Sequence, residues 1–126
     1  MNPKATTLTP QASPLFIKTY DLLKWLIPLT LKFPRQHRFV MAAALQQSAQ
    51  AVQLHLLQAQ RAAHPLGRLL HADVALAQLR LQIRLCHDWQ LITPGQFEHA
   101  ARLADEIGRL LGAWIKTCRA QQDPRA

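Results

Sequence analysis

The chain has 126 residues, 49% of them hydrophobic, with only four glycines. That length makes one domain and excludes dependence on disulfides or a structural metal for a core. Fifteen Lys and Arg against seven Asp and Glu give a formal charge of +8, which points to an anionic partner such as nucleic acid. Ten of the cations are Arg, whose planar fork fits phosphate and stacks on bases where Lys is a mobile point charge.

Residues 1–13 carry Pro3 and Pro10 among Thr, Gln and Ser, a composition too poor in apolar surface to order itself, and read as a disordered N-terminal arm. Nothing in them resembles a charged head, an oily run and a cleavage site. A four-helix bundle is expected over 14–120. Ser13 and Pro14 form the cap and first turn of helix one, where Phe16, Tyr20, Leu23, Ile27 and Thr30 make one stripe and Leu22, Leu26, Leu29 and Phe33 a second. Pro28 should kink this helix and Phe33-Pro34 should stop it. Its oiliest stretch, Leu22 to Leu31, contains Lys24 and Pro28 and falls far short of the roughly 20 apolar residues of a membrane span.

Helix two is expected from about Arg35 to Ala63, with Ala42, Leu45, Ala49, Val52, Leu56 and Ala59 alternating in steps of three and four. Helix three, from about Pro65 to Leu91, repeats the pattern with Leu69, Ala72, Leu76, Leu79, Ile83 and Cys86, and carries a second row at Leu70, Val74, Ala77, Leu81 and Leu85. Thr93-Pro94-Gly95-Gln96 reads as a capping box that opens helix four, with Phe97, Ala100, Ala104, Ile107, Leu111, Trp114 and Cys118 along one face to about Arg119. A frayed tail is expected over 121–126. Cys86 and Cys118 sit at apolar helical positions and read as reduced core thiols of a cytoplasmic protein.

Four helices with short turns predict an antiparallel up-down-up-down four-helix bundle, an all-α fold. One stripe per helix suffices for a monomeric bundle, so the second rows on helices one and three call for subunit association or else widen a single core face. Gly108-x-x-x-Gly112 suits close approach of another backbone or simple local packing.

Two basic clusters stand out. Arg80, Arg84 and His87 share a face of helix three, and Lys32, Arg35, His37 and Arg38 crowd the first turn. Like charges at i and i+4 disfavour an isolated helix by a few tenths of a kcal/mol. Phosphate or partner binding accounts for Arg80 and Arg84, and so does pairing of Arg84 with Asp88 and of Arg80 with Asp73 or a neighbouring subunit. The six histidines lack a shared ligand spacing, and the Glu-x-x-His pairs of a di-iron bundle are absent, so no metal or cofactor is expected. Arg80 and His87 have the Arg-x6-His spacing that resembles the motif of the HEPN helical ribonucleases, with Leu81 where a polar residue often follows the Arg; this is the alternative, catalytic reading. Trp25, Trp89 and Trp114 suit base stacking or bundle packing.

The segments FIKTYDLLKWLIPLTLKFPRQHRF (Phe16 to Phe39), RLLHADVALAQLRLQIRLCHDWQLITPGQFEH (Arg68 to His99) and EIGRLLGAWIK (Glu106 to Lys116) together resemble the accessory variability determinant family of diversity-generating retroelements. More broadly, the chain is similar to bundle proteins encoded in intervening sequences of bacterial ribosomal RNA genes. The resemblance implies a basic homopentameric barrel of four-helix protomers that binds the retroelement reverse transcriptase and RNA or DNA in mutagenic retrohoming, with no catalytic residues of its own. It assigns nucleic-acid or polymerase contact to Lys32, Arg35, Arg38, Arg80 and Arg84, beside which His87 completes the second cluster.

Overall fold

The computed structural model describes residues 12–122. The expected arm up to residue 11 and the tail from residue 123 lie outside them. Four long helical segments account for the fold, and no strand occurs among the described residues. The first, α1, spans Ala12–Thr30. The second, α2, covers 35–61 and has three consecutive parts: an α-helical turn Arg35–His37, a π-helical turn Arg38–Ala42, and α-helix Ala43–Arg61. The third, α3, is Leu66–Asp88, and the fourth, α4, is Pro94–Gln122. Each of α1 and α3 packs on both α2 and α4, with the broadest contact between α2 and α3.

The period of three and four places the core. Ala42, Leu45, Ala49, Val52, Leu56 and Ala59 of α2 are all buried, as are Leu69, Ala72, Leu76, Leu79, Ile83 and Cys86 of α3. Alanines recur on both stripes and again at Ala100 and Ala104 of α4, and small side chains at a contact let helix axes approach toward the lower end of the usual 8–10 Å. On α4 the stripe runs Ala100, Ala104, Ile107, Leu111, Ile115 and Cys118. Ile115 takes the buried position expected for Trp114, which packs at the rim of the core with Phe97. Burial pushes the Cys86 thiol up to about 11 and raises that of Cys118, because a thiolate loses its hydration there.

Helix α1 differs from expectation in which row faces inward. Leu22, Leu26 and Phe33, from the row read as surplus, are buried together with Leu15 and Thr19. The other row lies at the flank, with Leu23 and Thr30 buried but Tyr20 exposed. Thr30 ties α1 to α2: its hydroxyl donates to the Ile27 carbonyl at 2.7 Å and accepts from Gln46 Nε2 at 2.9 Å. Pro28 sits inside α1. The chain then leaves the helix through amides of Leu31, Lys32 and Phe33 that donate to carbonyls three residues back, and Pro34 opens α2.

The α3–α4 turn carries the expected capping box. The Thr93 amide donates to Gln96 Oε1 at 2.9 Å, and the Gln96 amide donates to Thr93 Oγ1 at 3.1 Å. Helix α3 ends earlier than expected, at Asp88, in a left-handed stop at Gln90 with φ 62°. The Leu91 amide donates to the Cys86 carbonyl at 2.8 Å and the Gln90 amide to that of His87 at 3.0 Å, the paired bonds of a Schellman motif. Glycine is the residue that holds such a φ without Cβ strain. Gln90→Gly is therefore expected to raise stability by about 0.5–1 kcal/mol, measured as a higher thermal midpoint at equal protein concentration. A lower midpoint would mean that the Gln90 side chain outweighs its backbone strain.

None of the described helices is long and apolar enough to cross a membrane.

Candidate nucleic-acid interface

The first basic cluster is built by the α1–α2 turn and the start of α2. Lys32, Arg35 and Arg38 are exposed, and none has an ion-pair partner among the described residues. The surrounding sequence explains why: no Asp or Glu occurs from residue 22 to residue 72. A regular helix would not have presented Arg38 to solvent. Arg38 stands seven residues before the buried Leu45, which at 3.6 residues per turn places it within about 20° of the core direction. The π-helical turn at Arg38–Ala42 adds a residue to the turn, so Met41 and Ala42 stay buried while Arg38, Phe39 and Val40 are exposed. This turn was not legible as such, although an Arg at an inward register beside an apolar run was a signal of it.

The second cluster is divided by the structure. Arg80 turns across to α4: Nη1 lies 2.6 Å from Asp105 Oδ1, and Nη2 donates to the Ala104 carbonyl at 2.9 Å. Gly108 makes the crossing possible, since a Cβ there would stand 3.0 Å from Arg80 Nη2. Close approach at Gly108 thus serves a guanidinium, while Gly112 has open space where a Cβ would point. Asp105 replaces Asp73 as the partner, and Arg84 makes no pair with Asp88. Arg84 is exposed, without an ion pair among the described residues. The His87 ring stacks on Phe97 with centroids 4.4 Å apart, and Nδ1 lies 3.9 Å from Asp88 Oδ1.

One contact joins the two turns. The His37 ring lies 5.9 Å from the Trp89 ring, which brings the start of α2 and the end of α3 to the same end of the bundle. Lys32, Arg35 and Arg38 thereby share that end with His87, while Arg84 and Arg80 lie about 6 Å and 12 Å back along α3 from Asp88 at 1.5 Å per residue. Arg80 and His87 do not converge on a common point: the guanidinium is held by Asp105 and Ala104 and the imidazole lies flat on Phe97. Among the described residues, no three His, Cys, Asp or Glu side chains are grouped to hold a metal ion.

The model of the bAvd-like family matches residues 15–118, the whole of the bundle apart from its outermost turns. The chain belongs to the bAvd-like family. A solved structure gives the same fold for this bAvd-like chain. It is a protein of unknown function from the S23 ribosomal protein family of Bacteroides thetaiotaomicron VPI-5482, 20% identical, superposing with a TM-score of 0.78 over 84% of this chain and 98% of that one. No curated protein matches the chain. At that identity the solved neighbour speaks for the fold alone. The bAvd-like assignment agrees with the resemblance carried by KFPRQHRF and CHDWQLITPGQFEH, and all seven residues of the two basic clusters fall inside the matched span.

Proposed function

We propose that this bAvd-like protein is a non-catalytic accessory subunit of a diversity-generating retroelement, acting in the cytoplasm, which binds nucleic acid and the reverse transcriptase through its basic end. The observation that carries the reading is the exposed trio Lys32, Arg35 and Arg38 in a stretch of chain without acids. Cations that neutralise no carboxylate among the described residues are available to phosphates. Arg84 extends the same potential along α3, and His87 adds a donor near it. Arg80 supports the surface from beneath by holding α3 to α4.

The reading includes an antiparallel course for the helices and a pentameric barrel. Pairing of early with late residues supports the first: Lys18 Nζ lies 3.4 Å from Glu106 Oε1 and Trp25 meets His99 at 4.7 Å, while Arg80 meets Asp105 and His87 meets Phe97. Exposed apolar side chains on α3 support association, for Val74, Leu81 and Leu85 point away from the core. The number five comes from the resemblance to the accessory variability determinant.

Fluorescence anisotropy with a labelled RNA tests the nucleic-acid part. Affinity is expected to fall as a power of salt concentration, with each single-strand phosphate contact contributing about 0.7 to the slope. Arg38→Ala and Arg84→Ala should each lower the slope by about that amount, whereas Arg80→Ala should chiefly destabilise the bundle. Affinity unchanged between about 50 and about 200 mM salt would remove the phosphate reading. RNA cleavage by the protein that is lost in His87→Ala would instead favour the helical-ribonuclease alternative.

A further inference from the structure

The basic end of the bundle also displays rings and apolar side chains that a phosphate site does not require. Phe39 is 82% exposed, Val40 73% and Trp89 52%, a group at the basic end separate from the exposed Val74 and Leu81 of α3. Both residues stand where a helical segment is interrupted or ends. Phe39 projects from the π-helical turn that also turns Arg38 outward, and Trp89 is the residue on which α3 stops, its amide donating to the Leu85 carbonyl at 2.9 Å. The His37 ring, two residues before Phe39, lies against Trp89 at an interplanar angle of 36°. Segments 31–40 and 89–97 contain no Asp or Glu; of the two acids that flank the second segment, Asp88 faces His87 and Glu98 pairs with Arg102 at 3.0 Å.

We infer that this end binds single-stranded nucleic acid, with unpaired bases stacked on Phe39 and Trp89 while Lys32, Arg35 and Arg38 hold the phosphates. The inference rests on the nucleic-acid reading above and narrows it to a strand whose bases are free. Charge complementarity selects the occupant: an exposed aromatic patch ringed by unpaired cations suits a polyanion that also offers flat apolar faces, and bases within a duplex have their faces covered by their neighbours. Stacking is tolerant of sequence, because every base has a π-face, so the site grips a strand without reading it.

The test compares three labelled probes on the full-length protein: an oligouridylate of about 12 nucleotides, within the roughly 4–16 that single-strand sites occupy, an abasic strand of equal length, and an RNA duplex of equal length. The oligouridylate should bind more tightly than either of the others. Phe39→Ala and Trp89→Ala should each weaken it about 5- to 150-fold, the range that loss of one stacked base produces, with the salt slope unchanged because no charge is lost. On the abasic strand both substitutions should have little effect. Phe39→Tyr, which keeps the ring, should restore binding, and circular dichroism of each variant confirms the helices. Equal binding of the duplex and the oligouridylate, or an unaltered affinity in Phe39→Ala, overturns the stacking site and leaves the phosphate reading standing. A change in mass by light scattering without a change in affinity also overturns it, by giving the patch to a protein partner or a second copy. Failure to bind any of the three probes overturns both readings together.

Discussion

On the association proposed above, Val74→Glu combined with Leu81→Glu is expected to leave a folded protomer that stays single. Both side chains are exposed in the protomer, at 69% and 65%, so the new carboxylates remain hydrated there and leave the core stripe of α3 intact. In an assembly that covers this face they would be stripped of water without a partner. Burying a polar group in that way costs on the order of 2 kcal/mol or more each, which for the pair weakens association by about a thousandfold or more. Light scattering should give the mass of one 14.3 kDa chain, with circular dichroism unchanged. An oligomer that keeps its mass with both substitutions would place the subunit contact on another face.

The second large effect lies two residues away from Leu81 and has the opposite character. Leu79 is wholly buried in the core, and Leu79→Ala leaves a cavity there. Such truncations cost about 2–5 kcal/mol, a drop of roughly 10–20 °C in thermal midpoint for a domain of this size. Leu81→Ala removes the same atoms from an exposed position and should move the protomer by no more than about 0.5 kcal/mol. The comparison is made at one protein concentration, since assembly stabilises by mass action. Equal losses at the two positions would mean that α3 is rotated relative to the buried stripe described above.

The core of α2 and α3 was legible in the sequence to the residue, because one apolar row on each recurs at three and four along the whole helix, although α3 also carries a second row that the structure leaves outside the core. The α4 start was equally legible, since a capping box is settled by residues within one turn. Helix α1 offered two apolar rows of equal weight, and only the positions of α2 and α4 decided that Leu22, Leu26 and Phe33 go inside. On α4 the choice between Trp114 and Ile115 follows the same logic: both lie near the stripe, and the bulkier ring is better accommodated at the rim.

The candidate site was less legible. Lys32, Arg35, Arg38 and Arg84 were visible as cations, and for the first three the lack of partners among the described residues followed from a long stretch without acids, whereas Arg84 stands four residues from Asp88 and only the structure shows that the two do not pair. The fate of Arg80 was not visible, because Asp105 lies 25 residues further along the chain and only the packing of α3 on α4, with Gly108 giving way, brings the two together. Phe39 was hidden for another reason. Helical periodicity assumes an unbroken α-helix, and the π-helical turn shifts the register by one residue just where the basic end begins.

The sequence by itself determined four helices, the buried stripes of α2 and α3, a strongly positive charge and membership of a family, because each of these depends on local spacing or on composition summed along the chain. Tertiary structure alone decided that Arg80 is taken by Asp105 while Arg84 has no ion pair among the described residues, which rings stand beside the basic turn, and that the α1–α2 and α3–α4 turns meet through His37 and Trp89. Those outcomes depend on contacts between segments far apart in the chain, whose geometry is set by how the stripes pack and not by the residues that later form the site.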